Sequence, residues 1–217
     1  MLATAIFAGC GVANAKDDGT DFSVIHEKEI QAFVINADGS FVLTNDKVFL
    51  INEARAITAK SQQSLTYNRT LETLDVVEAY TQKPDGRKVV VQADQIRDQQ
   101  ERQSSGAPMF QDTRVKVVIF PEVEVGDRLV LQYKMHRTTA MFPGHFEDLS
   151  YLDFHPTIQF TLIYDVPASL PLYADAKGFA ASTPTSAPGR KIYQWDYVPS
   201  EKARIEQGAV SYLDLNP

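Results

Sequence analysis

From residue 21 onward, apolar and polar side chains alternate with a period of two through most of the chain. Such alternation places successive side chains on opposite faces of a β-strand, so that each strand can bury one face and expose the other. The pattern is clearest at residues 22–35, 73–82, 128–136, 158–166 and 191–198. The sequence therefore predicts a protein built from strands rather than from helices.

Two turn sequences separate predicted strands. Residues 36–40 (Asn-Ala-Asp-Gly-Ser) and 83–87 (Lys-Pro-Asp-Gly-Arg) both contain Asp-Gly, which readily takes the positive φ angles of a tight hairpin. Many short strands at close spacing predict an all-β fold, a large antiparallel β-sandwich, either with wide sheets or as two stacked sub-sandwiches. Few short helices are expected, and residues 199–206 could open one with Ser200 as its N-cap.

Composition argues against several function classes. The chain has 21 Lys and Arg against 28 Asp and Glu, a net charge of −7, so a nucleic-acid partner is not expected. No stretch approaches the roughly 20 apolar residues of a membrane-spanning helix, so no integral membrane span is expected. The sequence has no phosphate-binding glycine loop and no Gly-x-Ser-x-Gly elbow, and we expect no cofactor.

The first fifteen residues are uncharged, small and apolar, and charged residues follow directly at 16–18. Ala13 and Ala15 are small residues of the kind that a signal peptidase reads, which predicts a signal peptide at 1–15 and a mature module at 16–217. Residues 7–10 (Phe-Ala-Gly-Cys) also resemble a lipoprotein processing site, in which Cys10 would carry a lipid anchor. Both routes predict a periplasmic or secreted protein, and both remove its one cysteine from catalysis.

The most pointed polar cluster in the sequence is His145, Glu147, Asp153 and His155. On strands His145 and Glu147 would share a face, as would Asp153 and His155, and a hairpin could bring all four together. Two imidazoles and two carboxylates would suit a divalent transition metal. No strong spacing motif such as His-Glu-x-x-His is present, so surface and loop-capping roles explain these residues equally well, and we assign no metal ligand and no catalytic residue.

Tyr193, Trp195 and Tyr197 lie on one face of the last predicted strand. Together with the aromatic residues of 142–154, they could form a platform for sugars or peptides. A single Trp on a terminal strand more often fills the interior of a sandwich, which favours a core role.

Five motifs carry a family resemblance through their order and spacing. They are Leu65-Thr-Tyr67, Lys83-Pro-Asp-Gly-Arg87, Phe120-Pro-x-Val-x-Val-Gly-Asp127, Asp165-Val-Pro167 and Gln194-Trp-Asp-Tyr197. With them the chain resembles the domain of unknown function found N-terminal to transglutaminase-like domains in exported bacterial proteins. The resemblance implies a β-sandwich without an assigned catalytic residue, followed by a cysteine-protease-like core with a Cys-His-Asp triad. That core is absent from this sequence, so none of its catalytic roles passes to a residue here.

We therefore expect an exported, non-catalytic β-sandwich module that binds or positions a substrate or partner for a transglutaminase-like domain, in cis or in trans. The alternative is a stand-alone module of the cell envelope that binds carbohydrate or peptide. Envelope polysaccharides and peptides are the ligands that both hypotheses suggest.

The export hypothesis makes a prediction about mass. Material recovered from the periplasm or the medium of an expressing bacterium should begin at Lys16, because Ala13 and Ala15 precede the first charged residues. Intact-mass spectrometry measures this directly. A mass that includes acylated Cys10 would show lipoprotein processing instead, and a retained Met1 would contradict export.

Overall fold

The computed structural model describes residues 21–101, 112–140, 142–152 and 155–199. Their secondary structure is mostly strand, with one short α-helix, α1 (Ala54–Lys60), and one 3₁₀ turn (Ala93–Gln95). The strands are β1 (Val24–Ile35), β2 (Phe41–Ile51), β3 (Gln62–Asn68), β4 (Glu72–Gln82), β5 (Lys88–Val90), β6 (Ile96–Gln100), β7 (Thr113–Ile119), β8 (Arg128–Arg137), β9 (Phe160–Pro167), β10 (Phe179–Ala181), β11 (Thr185–Ala187) and β12 (Arg190–Tyr197).

The strands form two sheets, which confirms the predicted all-β, sandwich-like fold. The large sheet has the order β10-β12-β9-β1-β2-β8-β4-β5, with β11 also paired to β12, and the small sheet has the order β3-β7-β6. The large sheet is mixed rather than purely antiparallel, because β1 and β9 pair in parallel from Glu29 opposite Phe160 to Val34 opposite Asp165. The other neighbouring pairs are antiparallel.

Both predicted hairpin turns are present. Residues 36–40 join β1 to β2, and residues 83–87 join β4 to β5. Gly39 and Gly86 at these turns have φ angles of 86° and 89°, which side chains with a Cβ rarely adopt. The signal peptide predicted at 1–15 and nearly all of the helix predicted at 199–206 lie outside the described residues. No helix among the described residues is long and apolar enough to cross a bilayer.

The core lies between the inner face of the large sheet and two parts of the chain that pack on this face, which we call the two covers. Alternate residues of the central strands point inward, as the period-two pattern requires, and Ile51, Leu129 and Leu131 are fully buried there. The small sheet covers one side of this face, where Val118 of β7 is fully buried. Phe146 and Leu152, from the segment between β8 and β9, pack against the core and cover the other side.

We call the described residues of 138–159 the strap. The strap begins beside the first hairpin turn, where the amide of Gly144 donates to the carbonyl of Asp38 at 2.9 Å. It ends beside the start of β1, where the amide of Ile158 donates to the carbonyl of His26, also at 2.9 Å. The strap therefore runs the length of β1 in the opposite direction before the chain turns back into β9.

A buried ion pair fixes the second hairpin turn to the connector between β7 and β8. Lys83 is only 6% exposed, and its Nζ lies 2.9 Å from Oδ2 of fully buried Asp127 and 3.0 Å from Oε2 of Glu124. The same Nζ also donates to the carbonyl of Glu122. Burial alone would lower the pKa of Lys83, but the two carboxylates outweigh this effect and raise it.

Replacing Lys83 tests how much this pair stabilises the fold. Lys83→Met leaves the carboxylate of Asp127 buried without its cation, and we expect the free energy of unfolding to fall by about 3–5 kcal/mol. Urea unfolding monitored by fluorescence measures it. The matched control is Arg87→Met in the same turn, because the exposed pair of Arg87 with Glu122 should contribute less than about 1 kcal/mol. Equal losses in the two variants would contradict the assignment.

Candidate functional site

A cleft of about 670 Å³ opens on the inner face of the large sheet, between the two covers. This volume is in the range of small-ligand sites, about 300–1,000 Å³. Strands β1, β2 and β8 form its floor, residues 66–68 of β3 form one wall, and residues 147–152 of the strap form the other.

The floor of the cleft is polar, although the sheet around it is apolar. β1 turns Glu29 and Gln31 inward, opposite Lys47 and Asn45 of β2, and Tyr133 of β8 lies opposite Asn45 on the other side. The period-two pattern of these strands is therefore kept, but polar residues occupy inward positions. We call these five residues the polar floor.

The carboxylate of Glu29 is the centre of a hydrogen-bond network. Its Oε1 lies 2.8 Å from Nζ of Lys47, and Nε2 of Gln31 donates to it at 2.7 Å. Nδ2 of Asn45 lies 3.2 Å from the same oxygen and 3.1 Å from the hydroxyl of Tyr133. The network holds five side chains of three strands in one arrangement.

The network also sets the charge states of the floor. Burial alone would raise the pKa of Glu29, but the Lys47 ammonium and the donors Gln31 and Asn45 outweigh burial and hold the pKa below its usual value. Burial raises the pKa of Tyr133. At neutral pH the floor therefore presents an ionised carboxylate paired with an ammonium and a neutral phenol, which is an arrangement for hydrogen bonding rather than for proton transfer.

One acceptor of the floor has no partner among the described residues. Asn45 is 1% exposed, and its Oδ1 receives no hydrogen bond there. A buried acceptor without a donor is unfavourable by about 1–3 kcal/mol. An N–H or O–H group that entered the cleft would relieve this.

A second ion pair lies at the rim of the cleft, beside β3. Nε of Arg137 donates to Oε1 of Glu72 at 2.8 Å, and the backbone amide of Asn68 donates to Oε2 of Glu72 at 2.8 Å. Glu72 is 6% exposed. Because its carboxylate accepts hydrogen bonds from both Arg137 and the backbone of Asn68, it links the end of β3 to the large sheet.

The strap is held to the large sheet by Asp148. The hydroxyl of Tyr164 donates to Oδ2 of Asp148 at 2.7 Å, and burial together with this carboxylate raises the pKa of Tyr164. The hydroxyl of Ser150 lies 3.0 Å from Oδ2 of Asp148 and 3.1 Å from Oε1 of Gln31 in the polar floor. The wall and the floor of the cleft are thus directly connected.

A second cavity, of about 430 Å³, lies on the other side of the strap. Strap residues 147–152 line both cavities, and Trp195 and Tyr164 line this one, with their rings edge to face at 5.5 Å. Trp195 and Tyr193 are half-buried and pack against the core, as the core interpretation predicted. At its rim Tyr151 and Tyr173 are 62% and 89% exposed.

The structure does not bring together the four residues of the predicted polar cluster. His145 is exposed beside the first hairpin turn, where its carbonyl lies against Gly39, whereas Nδ1 of His155 lies 3.0 Å from the carbonyl of Asp21 near the start of β1. About 30 Å of strand separates these two positions. Glu147 is exposed and lines both cavities, and Asp153 lies outside the described residues. Within the described residues no group of three or more His, Cys, Asp or Glu could hold a metal ion.

The residues of the polar floor were not singled out from the sequence. Their signal is present there, because Glu29, Gln31, Asn45 and Lys47 occupy the same alternate positions as the apolar residues of β1 and β2. It is a weak signal, since charged residues also occupy the outward positions of both strands.

The chain belongs to a family of unknown function. The model of the family described as "Domain of Unknown Function with solved-structure structure (DUF3857)" matches residues 37–202, which is most of the chain. This description is not that of a catalytic family. A search of curated proteins found no match.

Among solved structures, the chain is similar to a "putative protease" from Parabacteroides distasonis ATCC 8503, with a TM-score of 0.71 and 19% identity. The alignment covers 82% of this chain and 36% of that one, so the present chain spans about a third of that protein's length. The likeness shows the fold.

Two further likenesses are too weak to establish a shared fold. An M1 zinc metallopeptidase from Deinococcus radiodurans has a TM-score of 0.36 and 14% identity, over 82% of this chain and 40% of that one. The CBM3a-L domain of the scaffoldin cipA from Clostridium thermocellum has a TM-score of 0.35 and 13% identity, over 61% and 81%.

The lowered pKa of Glu29 predicts a pH-dependent stability. A carboxyl whose pKa is lower in the folded state stabilises the fold above its unfolded pKa of about 4.3, and the contribution disappears as the pH falls through the folded pKa. The free energy of unfolding should therefore fall more steeply below about pH 4.3 in the wild type than in Glu29→Gln. Urea unfolding at a series of pH values measures both slopes. Glu78→Gln, at an exposed position of β4, is the control and should keep the wild-type slope.

Proposed function

We propose that this chain is a non-catalytic module that binds an extended peptide segment in the cleft and positions it for a transglutaminase-like catalytic domain. The observation that carries the proposal is the polar floor between two walls. Wall, floor and rim supply donors and acceptors fixed in place by hydrogen bonds, which is how sites hold a polar ligand in one orientation.

The chemistry of the floor supports binding over catalysis. General acid–base catalysis at neutral pH needs a group whose pKa lies near that pH. The pKa of Glu29 is shifted the other way, below its usual value, and its carboxylate is occupied by Lys47, Gln31 and Asn45. Paired charges of opposite sign also leave the floor without net charge, which suits a peptide backbone better than a charged metabolite.

The wider setting rests on the resemblance and on the comparisons. The resembling modules precede transglutaminase-like cores, and the similar protein from Parabacteroides is described as a putative protease and is longer than this chain. Both facts support a module that works beside an enzyme acting on peptides. The run of residues 1–15 supports export, so we place the module in the periplasm or outside the cell.

A carbohydrate-binding role is the second candidate function, and the second cavity favours it. Trp195 lines this cavity, and Tyr151 and Tyr173 lie at its rim with more than half of each exposed. Aromatic rings beside a cavity suit a sugar ring as well as an apolar side chain.

A binding experiment separates the two candidates. Residues 16–217 are used to select peptides from a displayed library of random 12-residue sequences and are tested against soluble envelope polysaccharides. We expect peptide binding that falls at least about tenfold in Glu29→Gln/Lys47→Met, which removes both charges of the floor together so that neither is left unpaired. Tyr173→Ala should leave peptide binding unchanged.

The opposite pattern favours the second candidate. Polysaccharide binding that is lost in Tyr173→Ala and kept in the floor variant would assign the chain to carbohydrate recognition. Failure to enrich any peptide over blank resin would contradict the peptide proposal. The positioning role gains support from a reading frame that continues past residue 217 into a segment with a cysteine and a downstream histidine.

A further inference from the structure

The wall of the cleft that β3 forms is an edge of a sheet. β3 is the outer strand of the small sheet, and β7 is its partner, in a register without a bulge from Gln62 opposite Ile119 to Asn68 opposite Thr113. In the part of the chain that the structure describes, no strand pairs with the other side of β3. Its last three residues, 66–68, line the cleft.

The register shows which backbone groups of β3 remain available. The amide of Phe120 donates to the carbonyl of Ser61, and the amide of Arg69 donates to the carbonyl of Asp112, so the odd-numbered residues of β3 exchange hydrogen bonds with β7. The amides and carbonyls of Gln62, Ser64 and Thr66 therefore point away from β7. We call these six groups the open edge.

The open edge has a defined end. The next outward amide, that of Asn68, is already taken by the carboxylate of Glu72 at the rim. Among the described residues, nothing donates to or accepts from the six groups of the open edge. An extended chain of about five residues would match its length.

β3 has none of the sequence features that usually prevent another strand from pairing with an exposed edge. Exposed edge strands are commonly very short, bulged, or guarded by charged residues or proline, because an open row of amides and carbonyls attracts another strand. β5 and β10, at the two edges of the large sheet, have three residues each. β3 has seven residues, Gln-Gln-Ser-Leu-Thr-Tyr-Asn, with neither charge nor proline.

We infer that the open edge of β3 binds an extended peptide as an additional antiparallel or parallel strand, so that backbone hydrogen bonds supply the affinity. This inference rests on the proposed function and specifies how the peptide is held. A single peptide strand fits better than the edge of a second copy of this chain, because the open edge leads into a cleft of only about 670 Å³ whose opposite wall is the strap.

Alternation in the added strand predicts a preference of the site. Every second side chain of the peptide would point to the same side as Leu65 and Tyr67 of β3. Both residues pack against the core, and Tyr67 lines the same cleft as the polar floor. In the polar floor, Oδ1 of Asn45 lacks a donor among the described residues. We therefore expect peptides with Asn, Gln, Ser or Thr at one inward position to bind best.

The test removes one backbone donor and leaves the ladder to β7 intact. Thr66→Pro deletes the outward amide of Thr66, and proline is tolerated on an edge strand when its nitrogen faces away from the partner. With the tightest 12-residue peptide from the displayed library as the probe, we expect Thr66→Pro to bind at least about tenfold more weakly than wild type. The matched control, Thr66→Ala, changes only the side chain and should bind within about twofold. Equal binding by the two variants would overturn the inference.

A second measurement leaves the protein unchanged and covers the case in which Thr66→Pro does not fold. The probe peptide is N-methylated at alternate residues in each of the two possible sets. Methylation of one set should abolish binding and methylation of the other should not, because only alternate amides of an added strand face β3. Unchanged binding with both sets would refute strand addition.

Two other occupants of the edge give distinct results. Amide hydrogen exchange should be fast at Ser64 and Thr66 in the free protein and slow with peptide bound. Slow exchange in the free protein would mean that another segment of this chain covers the edge, and a dimer that Thr66→Pro dissociates would assign the edge to a second copy. Either result overturns the inference.

If wild type binds no peptide at all, the proposed function fails first, whereas binding that depends on the floor but not on Thr66 overturns the strand model alone.

Discussion

The shared direction of β8 and β9 determines how the inner face of the large sheet is covered. Both strands run parallel to β1, while β1 and β2 lie between them in the sheet. The chain that leaves β8 must therefore return the full length of the sheet before β9 can begin. In most proteins a helix makes this return. Here the strap makes it, and because the strap covers only one side of the inner face, a cleft remains between it and the small sheet.

Two of the motifs that carry the family resemblance, the second hairpin turn and the connector before β8, hold the fold together and do not line the cleft. Lys83 begins the second hairpin turn and Asp127 ends the connector before β8, and their buried ion pair joins the two motifs in space. Loss of one partner would leave a buried charge, which explains why both motifs need particular residues. These two motifs therefore stabilise the fold, whereas the Leu65–Tyr67 motif lies in β3 and lines the cleft. The polar floor lies elsewhere on the inner face and contains none of the motif residues.

Local pattern was enough to predict the strands and hairpins, but not what depends on contacts between distant segments. Period-two alternation and the two Asp-Gly turns led to β1, β2, β4 and β5 because each signal lies within a few residues. The parallel pairing of β1 with β9 depends on the path of the strap, which has no local signal. The predicted cluster of His145 with His155 assumed a hairpin, whereas the extended strap carries these residues to opposite ends of β1.

The polar floor is difficult to explain by stability alone. Burying Glu29 with Lys47 removes two charges from water, and apolar residues of similar volume in such places are often neutral or stabilising by comparison. An apolar floor would also favour closer packing of the strap against the small sheet, because both would gain by burying it. Polar side chains that are already bonded to one another keep the two covers apart without leaving lone charges. The floor thus keeps the cleft open and wettable beside the open edge of β3. The proposed binding of an extended peptide depends on these two features.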